Sequence, residues 1–341
     1  MQARLLRFIV LIPLGIALAA VVAIFCVSLT TSAVSASDTT DQAWPRGADF
    51  DAQWRDGKAE IAAYDLTYPR YGELREGTAV AIFVTEPFLW EPRVKADRPN
   101  PASFDAVKLN LIEDFTTGVY DYNLMTSVFV TLDSREGLAA GTPVKSTFTS
   151  QEWCGHVFEQ AVFGSDQTRS EVRSYFEMEA DQDLTLDGQE RFVAEDALLL
   201  WAHRLAGPSV EPGGSVTLPL YRSAAINRLL HVDPAWDRVT LRREAKTQQV
   251  DSALGDGTEV EILTAEIDRA GGGQGRLPST TTYTFQVEKE SPHRVIRWSR
   301  SDGYAGELVG VERMPYWMMQ ANGEESELKK IGLAPRGALM P

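Results

Sequence analysis

The chemistry-bearing residues of this chain gather in two short stretches. The first is Gln151-Glu-Trp-Cys-Gly-His-Val157. Read as a strand, it projects Glu152, Cys154 and His156 from one face and Trp153 from the other. A thiol beside an imidazole is activated as a thiolate nucleophile. The same trio offers oxygen, sulfur and nitrogen to zinc. Against both stands the spacing, since strand neighbours two apart lie roughly 6–7 Å apart at the backbone. The plain alternative is a partly buried thiol next to a hydrogen-bonded histidine. The second stretch is Arg173-Ser-Tyr-Phe-Glu-Met-Glu-Ala-Asp181, which as a strand puts Tyr175, Glu177, Glu179 and Asp181 on one face. Paired carboxylates at such spacing serve glycoside hydrolysis or calcium binding; otherwise they form a solvated face. If the two stretches pair so that residue numbers sum to 333, Cys154 opposes Glu179, His156 opposes Glu177 and Glu152 opposes Asp181. A slip by one residue separates them.

A third stretch, Thr116 to Thr126, concentrates Tyr120, Tyr122 and Met125 around Asp121. Tyrosines with an apolar body and a polar tip line ligand grooves or simply fill core and rim. With Trp153, Tyr175 and Asp181 they make the binding candidates. His203, His231 and His293 have no partner nearby in sequence. There is no Gly-rich phosphate loop, serine nucleophile elbow, zinc-protease helix or Cys-x-x-Cys pair, so no cofactor is expected.

Strands must position these residues. Thr78–Thr85 is a β-branched run, and Val107–Leu111 and Leu124–Leu132 continue it. Ser146–Gln160 and Glu171–Leu186 flank a turn at Gly164–Thr168. Tyr283, Phe285 and Val287 alternate with Thr284, Gln286 and Glu288, a period of two. Val295–Trp298 and Glu307–Arg313 follow, with Gly271–Gly275 as a hairpin tip. One helix is predicted from Asp187, as N-cap with Glu190 completing a capping box, through Phe192, Val193, Ala197, Leu200 and Trp201 to Gly207-Pro208. A weaker one lies within Tyr221–Leu230. The expected fold is mainly β, a curved antiparallel sheet or half-open barrel wrapping one main helix. The expected order is a signal peptide or N-terminal membrane anchor at 1–36, a linker at 37–49, one β-rich domain at 50–320 and a C-terminal tail at 321–341. Around 207–214 the chain either divides into subdomains or makes one long loop.

Residues 8–29 are an uninterrupted apolar run behind Arg4 and Arg7, with no acidic residue before Asp38. Such a leader is either a signal peptide, with small residues at Thr31-Ser-Ala33 and Val34-Ser-Ala36 for cleavage, or an uncleaved anchor, being long enough to span a bilayer. Phe25 before Cys26 argues against lipidation. Both readings direct the body to the periplasm or cell envelope, the second anchored in the inner membrane. Formal charge is −15, and without Arg4 and Arg7 the remainder carries 31 basic against 48 acidic residues. That excess argues against nucleic acid and anionic lipid head groups as partners. Outside the apolar run only Cys154 remains, so no internal disulfide forms. With 44% hydrophobic residues a sizeable core is available without one.

Several segments carry a resemblance: Gly57–Ile61, Arg70-Tyr-Gly-Glu73, Phe83-Val-Thr-Glu86, Val94–Asp97, Lys108-Leu-Asn110, Thr117–Tyr120, Met125-Thr-Ser127, Glu152-Trp-Cys-Gly-His156 and Tyr175-Phe-Glu177. Over roughly residues 55–185, with a weaker match at Arg313–Trp317, the chain resembles a family of exported bacterial proteins of unassigned function. Some members are labelled "septum formation inhibitor Maf". Maf proteins resemble nucleotide pyrophosphatases with a Ser-Pro-Arg-Arg element near the start, which this chain lacks. The resemblance implies export and supplies no catalytic residue. Thr281–Arg313 is also similar, in fold only, to half-open envelope barrels of the lipoprotein-carrier kind. The resulting expectation is a non-catalytic envelope domain that cups a hydrophobic small molecule or lipid, or docks an envelope partner. The alternative is a hydrolase or metal-dependent enzyme built on Cys154, His156 and the Glu177–Asp181 carboxylates.

Overall fold

The period-two run becomes strand as expected: Tyr283, Phe285 and Val287 are buried, and the residues between them are half-buried. The same alternation repeats along most of the chain. The computed structural model describes residues 42–271 and 278–334. A short helix α1 (Ala48–Trp54) leads into β1 (Ala59–Arg70), β2 (Glu73–Leu89), β3 (Val94–Lys95), β4 (Ser103–Thr117) and β5 (Tyr120–Thr131). Then come β6 (Pro143–Glu152), β7 (Gly155–Val162), β8 (Gln167–Ser174) and β9 (Gln182–Asp187). After β10 (Val193–Ala194) and α2 (Leu198–Ala202) follow β11 (Ser215–Tyr221), α3 (Ala224–Leu230), β12 (Trp236–Arg243), β13 (Gln248–Ser252) and β14 (Gly255–Asp268). β15 (Thr280–Glu288), β16 (Val295–Arg300) and β17 (Ala305–Met314) complete one large open sheet.

Read through its pairings, the sheet runs β9-β8-β7-β6-β5-β4-β2-β1-β17-β16-β15-β14-β12-β11-β10, with β13 a hairpin on β14 and β3 on β2. All are antiparallel except β10 on β11. The two edge strands, β9 and β10, are consecutive in sequence. The five residues 188–192 between them bring the edges together without a ladder, and the Trp236 indole N–H donates to the Asp187 carbonyl across the gap at 2.9 Å. The sheet is therefore strongly curled and not closed.

The single main helix does not form. Asp187 ends β9, because Leu184 and Leu186 continue the ladder to β8. Val193 and Ala194 pair with β11. Helical turns begin only at Glu195, and α2 has five residues, all buried. The weaker prediction fares better: α3 is helical, with the Ser223 side chain accepting the Ala225 N–H as an N-cap. Together α2 and α3 plug the curled sheet. Trp201, Phe285, Trp298, Tyr64 and Phe148 fill the rest. Among the described residues, a pocket inside the curl lined by Tyr68, Leu111 and Trp298 holds about 60 Å3, against roughly 300 Å3 or more for ordinary ligand pockets.

The described residues fall in one compact unit, and the strands on either side of 207–214 belong to one sheet. Within the segment expected as linker, Trp44 is buried in the main core. Within the expected tail, a 3-10 helix at Glu324–Ile331 buries Ile331 against Gly310 of β17. The apolar run 8–29, both cleavage alternatives and Gly272–Gly275 lie outside the described residues. Among those described, no helix is long and apolar enough to cross a membrane.

Candidate functional site

Because the strands run in an antiparallel meander, the β1–β2, β4–β5, β6–β7 and β8–β9 connections emerge at one end of the sheet. This end, the mouth, collects most of the residues singled out from the sequence, in an arrangement the sequence did not foretell.

Gln151–Val157 is a hairpin, not a strand. β6 stops at Glu152, Trp153-Cys154 form the turn, and β7 begins at Gly155. Glu152 faces Gly155, and Gln151 faces His156. Directly opposed residues share a face, so Glu152 and His156 point to opposite sides. Gly155 is what the turn requires: a Cβ there would lie 2.6 Å from the Tyr175 ring. Cys154 is exposed at the tip. Among the described residues neither its thiol nor the His156 ring makes a hydrogen bond or ion pair, and no group of three His, Cys, Asp or Glu could hold a metal ion. The proposed 333 register fails for the same reason. β7 and β8 pair with numbers summing to 331 (Val157 opposite Ser174), and the chain leaves the ladder at Tyr175. Glu177–Glu179 form a 3-10 turn, which leaves Glu177 and Asp181 exposed.

Glu152 and Glu179 meet around a residue absent from the sequence reading, Arg228 of α3. Its guanidinium donates to Glu152 at 2.7 Å and to Glu179 at 2.9 Å, and lies 4.1 Å from the centre of the Phe176 ring. His231, the left-handed C-cap of α3, also pairs with Glu179. The Ser174 hydroxyl donates to Glu179 at 3.2 Å.

Beside this cluster, three tyrosine hydroxyls converge. Tyr71 lies 2.7 Å from Tyr122 and 3.0 Å from Tyr120. Arg70 donates to Tyr122 through Nε and Nη2, at 3.3 and 3.2 Å, and to Tyr71 at 3.3 Å. Among the described residues no carboxylate pairs with Arg70. Burial and the neighbouring Glu152 carboxylate push the Tyr122 phenol far above its ordinary value. Tyr71 moves the other way: burial acts to raise it, but hydrogen bonds from Tyr120 and Tyr122 and the Arg70 charge pull it below. An aromatic ladder runs inward from this point. Trp153 lies 6.3 Å from Tyr120, Tyr120 lies 5.4 Å from Tyr122, and Tyr122 stacks on Phe115 at 4.9 Å.

Arg70, Tyr71, Glu152, Cys154, Phe176 and Arg228 line an open cleft of about 530 Å3. Its rim exposes Tyr71, Trp153 and Tyr175, with Val119 and Met178 more than three-quarters exposed at neighbouring tips. Asp121 accepts from Thr116 at 3.0 Å and remains on the outer surface. The expected binding residues Tyr120, Tyr122, Trp153 and Tyr175 are brought to the same end, but neither they nor Asp121 and Asp181 are among the residues that line the cleft. In the sequence Arg70 and Tyr71 stood out only within the segment Arg70-Tyr-Gly-Glu73, Arg228 only as part of a weak helix, and His231 as a histidine without a partner nearby.

No protein-family profile, Maf included, matches the chain, and no curated protein matches it. A solved structure from Brucella abortus, described as a beta-barrel-like protein of the domain of unknown function DUF1849, aligns over 75% of this chain and 98% of its own, with 13% identity and a TM-score of 0.45.

Proposed function

We propose that this is an exported envelope protein whose mouth cleft binds an amphipathic ligand without catalysis. Arg70 carries the reading. A half-buried guanidinium held by phenol oxygens, and paired with no carboxylate among the described residues, is left to attract an anionic or carbonyl oxygen. The aromatic rim then receives the ligand's apolar body. A lipid head group with the start of its chains has this chemistry, bound at the end of the sheet and not inside it. The apolar leader at 8–29 supports delivery to the envelope. Native mass spectrometry of the full chain, extracted from expressing cells in mild detergent, tests the proposal. The expected result is a bound adduct on the wild type that is lost in Arg70→Gln. An empty wild type, or an adduct that the variant retains, refutes it. Recovery of the chain in the cytosol on fractionation removes the compartment.

A second reading, docking of an envelope protein partner, is favoured by the exposed Val119, Trp153, Tyr175 and Met178. Photocrosslinking from position 153 in intact cells distinguishes the two: a protein adduct supports docking, a lipid adduct supports the cleft.

A further inference from the structure

At the opposite end of the sheet, residues 42–47 and α1 roof a second cavity, of about 330 Å3. Its apolar walls are Trp44, Phe50 and Trp54, and its polar wall is His203, Arg204 and Arg243. The polar wall is built around shared carboxylates. Glu261 pairs with both Arg204 and Arg243, to the latter at 2.5 Å. His203 Nε2 meets Glu60 at 2.7 Å with both side chains almost fully buried. Burial acts to raise the Glu60 carboxyl, but the His203 charge and hydrogen bond, with Arg294 and Arg313, outweigh it and lower the value. His293 accepts from Arg204 at 3.2 Å. Burial and the Arg204 charge depress it to about 4, so it is neutral at pH 7.

Two facts single this cavity out. Two guanidinium groups share one carboxylate, so the polar wall carries excess positive charge within a strongly acidic chain. Several buried polar atoms around it also have no partner among the described residues: Trp44 Nε1, Arg204 Nε, Arg243 Nε and His203 Nδ1. The first three are donors only. Buried donors are rarely left unmade, and each that is requires an explanation. An oxyanion supplies acceptors for them. Trp44 spans the site, its ring 5.1 Å from the Arg204 guanidinium carbon and 5.9 Å from that of Arg243. The carboxylates Asp49 and Glu211 sit at the exposed rim, where water screens them.

We propose that this cavity binds a small organic acid. Its carboxylate is taken by Arg204, Arg243 and the Trp44 indole N–H, and its apolar body lies against Phe50 and Trp54. The volume suits a molecule of about one ring. This proposal is independent of the mouth cleft. Benzoate is the probe. Titration of the full chain, read by calorimetry and by quenching of tryptophan fluorescence, is expected to show saturable binding. Arg204→Gln is expected to weaken it at least about tenfold, the loss of a charge-assisted hydrogen bond. Trp44→Phe keeps the ring and removes only the N–H, and is expected to weaken binding about fivefold. That variant keeps the test decisive if Arg204→Gln does not fold. Absence of saturable benzoate binding overturns the proposal. So does equal binding by Trp44→Phe and wild type, or equal binding of benzamidine, the cation of the same shape. Binding of inorganic phosphate without benzoate overturns the apolar half of the site.

Discussion

Glu159 of β7 offers a stability measurement whose sign is fixed by the structure. Its side chain is 4% exposed. The Asn227 amide donates to it at 3.2 Å. Burial pushes its carboxyl up to about 8; the Asn227 bond opposes this, and Asp196 and Glu179 add to it. In the unfolded chain the value is near the model-compound 4.5. Between these values the folded protein holds a proton that the unfolded chain releases. Stability from this group is therefore full below about pH 4.5 and is lost progressively as pH rises towards 8. Each pH unit in that window corresponds to about 1.4 kcal/mol, which bounds the loss at about 3 kcal/mol by pH 7 and about 5 kcal/mol by pH 8. Glu159→Gln keeps the shape and cannot ionise. Its amide N–H also finds an acceptor, since the buried Asn227 Oδ1 has no partner. The variant is expected to match wild type near pH 4.5 and to exceed it by about 2–3 kcal/mol at pH 7–8, below the bound because water and polarisable neighbours relieve part of the penalty. Urea denaturation of both proteins at pH 5 and pH 8, with unchanged m-values, measures this. Glu113, raised to about 7, titrates in both proteins and cancels in the difference. A difference that does not change with pH, or a Gln variant less stable at pH 8, refutes the account.

Arg269→Met is expected to destabilise by about 3–5 kcal/mol in denaturant titration. It leaves Glu195 and Asp237, both almost fully buried, without the guanidinium that bridges them at 2.7 and 3.1 Å. Gly306→Ala is expected to lose about 1–3 kcal/mol or more in the same assay, because the new methyl would stand 2.2 Å from the buried Trp298 ring. Cys154 is expected to react with iodoacetamide in native protein, read by mass spectrometry, without a change in melting temperature. Labelling only after denaturation contradicts its exposed place on the β6–β7 turn.

Strands that bury one face were legible from residue alternation, as at β15, where a one-residue slip would turn Tyr283, Phe285 and Val287 outward. The helix at 187–207 was misread for a physical reason. Phe192, Val193, Ala197, Leu200 and Trp201 lie inside a filled sheet and are all buried, so their spacing reports immersion and not one helical stripe. Asp187 and Glu190 look like a capping box, but ladder bonds from β8 claim the chain first. At the mouth, residue types were legible and geometry was not. Cys-Gly was available as a turn signal, and reading it as strand put Glu152 and His156 on one face. The partners that define both cavities are distant in sequence. Arg228 finds Glu152 across 76 residues and His203 finds Glu60 across 143, separations that no local pattern encodes.

The filled interior makes the two ends the places to look for a ligand. Glu113, Glu195, Arg269 and Arg300 are buried in the curled sheet with Tyr283 and Tyr304 among them. Admitting an acyl chain there would strip these groups of partners they cannot regain, at about 1–3 kcal/mol for each neutral group and more for each charge. The pocket of about 60 Å3 that most of these groups line has room for a few waters only. At each end, by contrast, guanidinium charge is incompletely matched: Arg70 faces phenols at the mouth, and Arg204 and Arg243 divide one carboxylate at the other end. In a chain with 48 acidic residues to 33 basic, unmatched positive charge is the exception. Most arginines packed into the core have carboxylates at close range, Arg222 with Asp237 and Arg300 with Asp302 among them. Since the surrounding acidic surface repels anions at long range, an anion that binds must do so through short contacts in a desolvated pocket. Benzoate affinity at the roofed cavity is therefore expected to depend weakly on salt in calorimetric titrations, in contrast to the steep dependence of a basic surface patch.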